Sequence, residues 1–300
     1  MSYAHDVKME LCEKVPQEKS GLRAQAYGLL LFGRRFGPKG IILGTEHARV
    51  ASCCASLLEA LFSVRPVERI RTRTDGRTYI EISVHPPARA LEIFEAFGYT
   101  VNTVSLRVNR ANLETEESVR DFLRGAFLSC GSVVNPDKDY HLEFVTPHLN
   151  LGKDLTCLLT EYGFEPKNIW RGGKLIVYFK DSGQIEDILT FMGAVRQSLE
   201  LMNIKVYKDL RNKVNRVTNC ETANIDKTVN AAAEQVAAIR KLMETHCYEQ
   251  LPEELRETAR LRLAHPDMSL RELGALLEHP LSRSGINHRL RRIVEFAKNL

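Results

Sequence analysis

The chain has 300 residues, of which 44% are hydrophobic and 27% are charged. That length suits two or three domains, and the apolar content is enough for packed cores and too high for a disordered chain. No apolar run approaches the ~20 residues of a membrane-spanning helix, and the first residues lack the apolar centre of a signal peptide, so we expect neither. Seven cysteines without a CxxC spacing indicate free thiols in a reducing cytoplasm rather than disulfides or a zinc site.

The excess positive charge lies in the last third of the chain. Residues 205–300 hold 17 Lys and Arg against 13 Asp and Glu, whereas residues 1–204 hold 25 of each. Segments 205–216 and 283–300 each contain five basic residues and one acid. A neutral body with two basic segments indicates a polyanion partner that is contacted by the C-terminal part, although solvated helix faces give the same pattern.

The first 200 residues contain the same series of predicted elements twice. Apolar helices are predicted at Leu22–Phe32 and Val119–Leu128, and each is followed by strands, a second helix, a hairpin and a closing helix. The hairpin turns, where glycine supplies positive φ, are Thr74-Asp75-Gly76-Arg77 and Arg171-Gly172-Gly173-Lys174. Gly28 and Gly125 are 97 residues apart, as are Gly76 and Gly173. Each half is therefore predicted to be an α-β-β-α-β-β-α lobe, and two such lobes would form a pseudo-dimer within one chain.

Strand signals vanish after residue 200, and three short helices are predicted near the end of the chain. A polar segment rich in asparagine leads to a helix with three-to-four apolar spacing from Val229 to Met243, and Pro252 opens the next one. The sequence Ser269-Leu270-Arg271-Glu272 is a capping box that starts a helix ending near Glu278. Ser282 or Ser284 would cap the last helix, which runs to about Ala297.

The last predicted helix has an apolar face and a basic face. Ile286, Leu290, Ile293 and Ala297 fall on one stripe, and Ser284, His288, Arg291 and Arg292 fall opposite, with Asn287 at the edge. Arg289 lies near the apolar border, where either a phosphate contact or an internal ion pair would suit it. Arginine, asparagine, serine and histidine are the side chains that contact base edges and phosphates, so the pattern predicts a helix-turn-helix domain. A plain amphipathic helix with a solvated basic face is the alternative, since the turn 278–283 is longer than usual.

Four segments of the sequence resemble the WhiA family, bacterial regulators of sporulation and cell division. They are Ser2-Tyr3-Ala4-His5-Asp6-Val7-Lys8-Met9-Glu10-Leu11, Asn219-Cys220-Glu221-Thr222-Ala223-Asn224, Leu251-Pro252-Glu253-Glu254-Leu255 and Ser282-Arg283-Ser284-Gly285-Ile286-Asn287-His288-Arg289-Leu290-Arg291. The resemblance implies an N-terminal part similar to LAGLIDADG homing endonucleases, which are two αββαββα lobes, and a C-terminal helix-turn-helix domain. It therefore implies an α+β pseudo-dimer followed by an all-α domain.

The resemblance also implies that the nuclease chemistry is missing. Gly28 and Gly125 match the small residues through which the first helices of the two nuclease lobes pack together. Gly33 and Cys130 match the positions where nucleases carry metal-binding acids, and neither residue supplies the hard oxygen ligand that Mg²⁺ needs. Beside these positions, Arg34, Arg35 and Arg124 are candidates for phosphate contacts.

We therefore expect a non-enzymatic, sequence-specific DNA-binding regulator in the cytoplasm, at the nucleoid, with no cofactor and no metal. The expected parts are an N-terminal segment (1–20), two lobes (21–110 and 111–204), a basic linker (205–225) and a helix-turn-helix domain (226–300). The expected partner is double-stranded promoter DNA. The candidate DNA-binding residues are Ser269, Arg271, Arg283, Ser284, Asn287, His288, Arg289, Arg291, Arg292, Lys205, Lys208, Arg211, Lys213 and Arg216. Two alternatives stay open: an active endonuclease with rearranged metal ligands, and a scaffold whose lobes bind transcription or division proteins.

Overall fold

The computed structural model describes residues 2–72, 74, 76 and 78–299. The chain divides into two compact units, residues 1–208 and residues 209–300. None of the helices in the described ranges combines the length and the apolar character needed to cross a bilayer.

The first unit contains two lobes with the same order of elements. The first lobe consists of α2 (Lys19–Leu31), β1 (Arg35–Gly37), β2 (Gly40–Thr45), α3 (Ala48–Phe62), β3 (Val67–Thr72), β4 (Thr78–Ser83) and α4 (Pro87–Ala96), and is preceded by α1 (Tyr3–Glu13). The second consists of α5 (Glu116–Cys130), β5 (Gly131–Val133), β6 (Leu142–Thr146), α6 (Leu149–Glu161), β7 (Lys167–Arg171), β8 (Lys174–Phe179) and α7 (Ser182–Met192). The predicted αββαββα repeat is confirmed.

Each lobe has one four-stranded antiparallel sheet. The strand orders are β1-β2-β4-β3 and β5-β6-β8-β7, so the two sheets have the same topology. Burial alternates along β2, β6 and β8, because one face of each sheet packs on the core and the other faces outward. Positive φ is found at Gly76 (81°), Gly172 (57°) and Gly173 (72°), as the predicted turns require. Asp75 and Arg77 of the first predicted turn lie outside the described residues.

Helices α2 and α5 form the centre of the first unit. A β-carbon on Gly28 would overlap the carbonyl oxygen of Phe122 and lie 2.9 Å from the amide nitrogen of Ala126. A β-carbon on Gly125 would overlap the carbonyl oxygen of Gln25 and lie 2.8 Å from the amide nitrogen of Leu29. The two helices therefore pack backbone against backbone, and the expected role of both glycines is confirmed.

Helix α1 belongs to the core of the first unit. Its residues Tyr3, Val7 and Leu11 are buried, as the four-residue spacing requires of one helix face. The buried carboxylate of Glu10 accepts hydrogen bonds from the backbone amides of Arg196 (2.9 Å) and Gln197 (3.0 Å). These amides belong to the first turn of helix α8 (Val195–Glu244), where the helix has no internal partners for them. Glu10 thus caps α8.

The second unit is entirely helical. It contains the C-terminal part of α8 together with α9 (Glu253–Ala264), α10 (Leu270–Ala275) and α11 (Arg283–Lys298). Its buried core is made of Ile239, Leu242, Leu251, Leu255, Ala259, Leu277, Ile286, Leu290, Ile293 and Ala297. Helix α10 packs against this core through Leu270, which is partly buried. Residues 205–225, which were expected to form a linker, lie inside α8.

Candidate nucleic-acid interface

Helix α10 and the segment after it position the last helix. The side chain of Ser269 accepts a hydrogen bond from the backbone amide of Glu272 (3.3 Å), and the carboxylate of Glu272 accepts one from the amide of Ser269 (2.9 Å). The predicted capping box is therefore present. The helix ends at Ala275 rather than near Glu278, and the backbone then returns so that Leu281 donates to the carbonyl of Gly274 (3.0 Å).

Gly274 is required at this return of the chain. A β-carbon on Gly274 would overlap the carbonyl oxygen of Leu281 and lie 3.2 Å from Cγ1 of Ile286. This close approach brings α10 against the start of α11. The side chain of Ser282 accepts a hydrogen bond from the backbone amide of Gly285 (3.3 Å) in the first turn of α11. Ser282 rather than Ser284 is therefore the N-cap of this helix.

The two predicted faces of α11 are found in the structure. The apolar stripe Ile286, Leu290, Ile293 and Ala297 is buried in the core of the second unit. The opposite face exposes the polar and basic side chains Arg283, Ser284, His288, Arg291 and Arg292, with Asn287 half-buried. Across the described residues, no ion pair engages the guanidinium groups of Arg291 and Arg292. Free cations and hydrogen-bonding groups on one exposed helix face are what recognition of a duplex groove needs.

Arg289 differs from the rest of this set. Its guanidinium lies 3.4 Å from the carboxylate of Glu254 and 3.9 Å from that of Glu257, and it donates to the backbone carbonyl of Glu254 (3.3 Å). Only 16% of its side chain is exposed. Of the two roles considered for Arg289, the structure assigns the internal ion pair, because α9 presents two glutamates to this side of α11. A contact between Arg289 and DNA stays a prediction that this ion pair opposes.

The basic segment 205–216 divides into two parts. Lys205 pairs with Glu186 (3.2 Å), and Lys208 donates to the carbonyl of Pro136 (2.6 Å) and lies over the ring of Tyr140. Both ammonium groups therefore have partners in the second lobe, and their contact with DNA stays a prediction. The remaining cations of the segment, Arg211, Lys213 and Arg216, are exposed on α8.

A cavity in the second unit contains cations that the sequence pattern did not indicate. It has a volume of about 450 Å³. Lys227 and Gln235 from α8 and Arg262 from α9 line it together with the predicted residues Arg271 and Arg283. Lys227 and Arg262 were missed because they lie far apart in the sequence and outside both basic segments. Only the tertiary packing brings them together.

The ends of α2 and α5, where the resembling nucleases carry acids, hold other groups here. A β-carbon on Gly33 would lie 2.9 Å from the carbonyl oxygen of Leu30, so the backbone leaves little room for a side chain. Burial raises the pKa of the Cys130 thiol to about 12. The ammonium of buried Lys8 donates to the carbonyl of Leu128 (3.2 Å) beside Cys130, and burial lowers the pKa of Lys8. Among the described residues, no group of three or more His, Cys, Asp and Glu side chains is arranged to hold a metal ion.

The arginines beside these positions are mostly engaged within the protein. Arg124 is buried, pairs with Asp121 (2.7 Å) and donates to the carbonyls of Met192 (2.8 Å) and Lys14 (3.0 Å). Arg34 is exposed but lies 3.4 Å from the carboxylate of Glu81. The expectation that Arg124 could meet a phosphate was therefore wrong, since its donors are engaged within the second lobe and with the segment after α1.

Comparison with known proteins relates both units to one family. Family models for the WhiA LAGLIDADG-like domain and the WhiA C-terminal HTH domain match residues 119–211 and 214–297. The chain is 37% identical over its whole length to 98% of a protein of Thermoanaerobacter pseudethanolicus named as probable cell division protein WhiA. It is 38% identical over its whole length to 99% of a protein of Clostridium botulinum with the same name. A crystal structure of full-length WhiA from Thermatoga maritima matches 100% of this chain and 99% of its own, with a TM-score of 0.62 and 25% identity.

Proposed function

The chain belongs to the WhiA family, and we propose that it is a sequence-specific, non-enzymatic DNA-binding regulator of transcription. The observation that carries the proposal is the exposed face of α11. This face presents four side chains for base edges, Asn287, His288, Arg291 and Arg292, on a helix whose other face is fixed in the core. Ser269, Arg271, Arg283 and Ser284 would hold phosphates around the groove.

The exposed cations of α8 have a different role in this proposal. Arg211, Lys213 and Arg216 project from a helix that is exposed on all sides from residue 209 to residue 231. Base edges are read by an element that fits into a groove of the duplex. These three side chains would instead contact phosphates and raise the affinity for all sequences alike.

The two lobes would act as a scaffold and not as a nuclease. Support comes from the ends of α2 and α5, where Gly33 and Cys130 stand in place of acids and the ammonium of Lys8 lies beside Cys130. None of these three residues supplies the hard oxygen ligand that Mg²⁺ prefers. The lobes would then present surfaces to other transcription or division proteins, in keeping with the names of the relatives from Thermoanaerobacter and Clostridium.

Selection of DNA duplexes, followed by titration of the protein with them, tests the proposed sequence-specific binding. The full chain would be used to select duplexes from a randomised library, and its affinity for the selected duplex and for a scrambled one would be measured by fluorescence anisotropy at several salt concentrations. We expect a clear preference for the selected duplex and a fall in log affinity of about one per neutralised phosphate for each tenfold rise in salt. Equal affinity for both duplexes, or an affinity that does not change with salt, would contradict the proposal.

A second experiment tests the role in the cell. Genome-wide crosslinked footprinting would compare the wild-type protein with a variant carrying Arg291→Ala and Arg292→Ala. We expect discrete sites at the nucleoid, upstream of genes for cell division, that the double variant loses. Footprints that are identical for both proteins would place DNA contact elsewhere on the chain.

A further inference from the structure

The cavity in the second unit lies among four helices of that unit. Its lining comes from α8, α9, the capping residues of α10 and the first turns of α11, namely Lys227, Thr228, Ala231, Ala232, Gln235, Arg262, Ser269, Leu270, Arg271, Arg283 and Asn287. A volume of about 450 Å³ is within the range of small-molecule sites. It is large enough for a phosphate group and the atoms attached to it.

The charge of the lining is of one sign. Lys227, Arg262, Arg271 and Arg283 contribute four cations, and no carboxylate is found among the described residues that line the cavity. Across the described residues, no hydrogen bond or ion pair engages the side chains of Lys227, Arg271 or Arg283. Four neighbouring cations without acids repel one another, so the arrangement favours an anion between them.

Two buried polar groups in the wall lack partners. Arg262 is 2% exposed, and its Nη1 donates to the carbonyls of Pro266 (3.2 Å) and Met268 (2.8 Å), which fixes the guanidinium in the wall. Its Nε has no hydrogen-bond partner among the described residues. Gln235 is 8% exposed, and its Oε1 is likewise without a partner in the described structure. A buried polar atom without a partner destabilises the fold, so a protein that retains two in one cavity is expected to satisfy them with a ligand.

We propose that this cavity is a phosphate-binding site. The guanidinium groups of Arg262, Arg271 and Arg283 and the ammonium of Lys227 would bind the phosphate oxygens, and the amide of Gln235 would hydrogen-bond to the group attached to them. The phosphate has two sources: a free phosphate group, inorganic or on a small molecule, or the backbone of the DNA that α11 contacts. The second source rests on the proposed function, because four lining residues also belong to the proposed DNA-binding set, namely Ser269, Arg271, Arg283 and Asn287.

Calorimetric titration of the full chain with inorganic phosphate, at constant ionic strength, tests the first source. We expect saturable binding that Lys227→Ala weakens about tenfold, the factor that one charge-assisted hydrogen bond contributes. Gln235→Met should also weaken it, while raising the melting temperature, because it replaces an unpartnered buried amide with an apolar side chain of similar shape. Arg260→Ala is the matched control, since Arg260 is an exposed cation of α9 outside the cavity, and it should leave phosphate binding unchanged.

Titration with the selected duplex tests the second source. If the free protein does not bind phosphate, a decrease of about one in the salt slope in Lys227→Ala, absent in Arg260→Ala, would support the cavity as a site for a backbone phosphate. Failure of both titrations, or phosphate binding that all variants retain equally, would overturn the inference. Phosphate binding without any duplex preference would overturn the proposed function alone. A duplex preference that Arg291→Ala abolishes, with no effect of Lys227→Ala in either titration, would overturn the cavity alone.

Discussion

Gly28 on α2 and Gly125 on α5 hold equivalent places in the two lobes, and each lies against the backbone of the other's helix. A β-carbon on either glycine would overlap the carbonyl oxygen of the residue three positions before the other, which is Phe122 for Gly28 and Gln25 for Gly125. The contact is therefore reciprocal, as a two-fold relationship between the lobes requires.

We expect Gly28→Ala and Gly125→Ala each to lower the free energy of unfolding by about 1–3 kcal/mol or more, because helix backbones cannot yield locally to an added methyl group. Gly37→Ala is the control, since no atom lies within 4 Å of a β-carbon at Gly37. Chemical denaturation of the three variants measures the effect. A loss of unfolding free energy no greater than that of Gly37→Ala would show that α2 and α5 can move apart without destabilising the fold.

Arg291→Ala and Lys213→Ala should affect DNA binding differently. Arg291 is proposed to contact bases, so its loss should reduce the preference for the selected duplex by about 1–3 kcal/mol. Lys213 is proposed to contact phosphate, so its loss should weaken binding to all duplexes and lower the salt slope by about one. Arg65→Ala removes an exposed cation from the first unit and serves as the control for net charge. Wild-type behaviour of both variants would show that the interface lies elsewhere.

Arg289→Met should change stability more than DNA recognition. The guanidinium of Arg289 joins α11 to Glu254 and Glu257 of α9, so its loss should lower the free energy of unfolding by about 1 kcal/mol, a modest value because both glutamates are partly solvated. Arg292→Ala, at an exposed position of the same helix, should leave stability unchanged. Thermal denaturation and duplex titration of both variants separate the two roles. A loss of duplex preference in Arg289→Met that equals that of Arg291→Ala would contradict this assignment.

Supercoiled plasmid incubated with the protein and Mg²⁺ should stay intact. The reason is the absence of acids at positions 33 and 130 and the ammonium of Lys8 beside the second of them. Glu46, an acid that interacts with Lys8, provides the control variant Glu46→Gln. Nicking by the wild type that Glu46→Gln loses would establish an active nuclease with rearranged ligands. Nicking that both proteins share at equal rates would also contradict the prediction and would show cleavage that does not depend on Glu46.

The stability of the protein should depend on pH through Lys8. Burial lowers the pKa of Lys8 in the folded state below its ordinary value of 10.5, so the unfolded chain binds this proton more tightly. Folding of the wild type should therefore become more favourable relative to Lys8→Met as the pH rises from the folded pKa toward 10.5. The change should be about 1.4 kcal/mol per pH unit for one proton. Denaturation of both proteins across this range measures it, and a constant difference would show that Lys8 keeps its ordinary pKa.

Much of the fold could be predicted because its signals are local. The repeat of glycines and apolar runs predicted both lobes, and the spacing from Ile286 to Ala297 predicted the buried face of α11. The middle of α8 was missed although it carries a signal. Val206, Leu210, Val214 and Val217 keep three-to-four apolar spacing, but the basic residues and asparagines among them suggested a linker. The structure leaves these apolar side chains exposed, so no core contact fixes this part of the helix.

The site was predicted less completely, because charge partners depend on tertiary packing. Nothing local shows that Glu254 and Glu257 would face Arg289, or that Glu186 would hold Lys205. For the same reason, the sequence could not show that Arg124, a candidate for a phosphate contact, is buried among three acceptors within the protein. Gly125 shows the opposite case, because the resemblance to the nucleases implied its place at the contact between the first helices of the lobes, and it lies against the backbone of Gln25 there.

The residues at the ends of α2 and α5, Gly33 and Cys130, bear on how a metal site could arise there. An aspartate gained at position 130 would meet the ammonium of Lys8 before it met a metal ion, and one gained at position 33 would press on the carbonyl of Leu30. A single substitution would thus produce a salt bridge or a misfit instead of a cutting centre. A metal site at these two positions would therefore need changes at positions 8, 33 and 130 together.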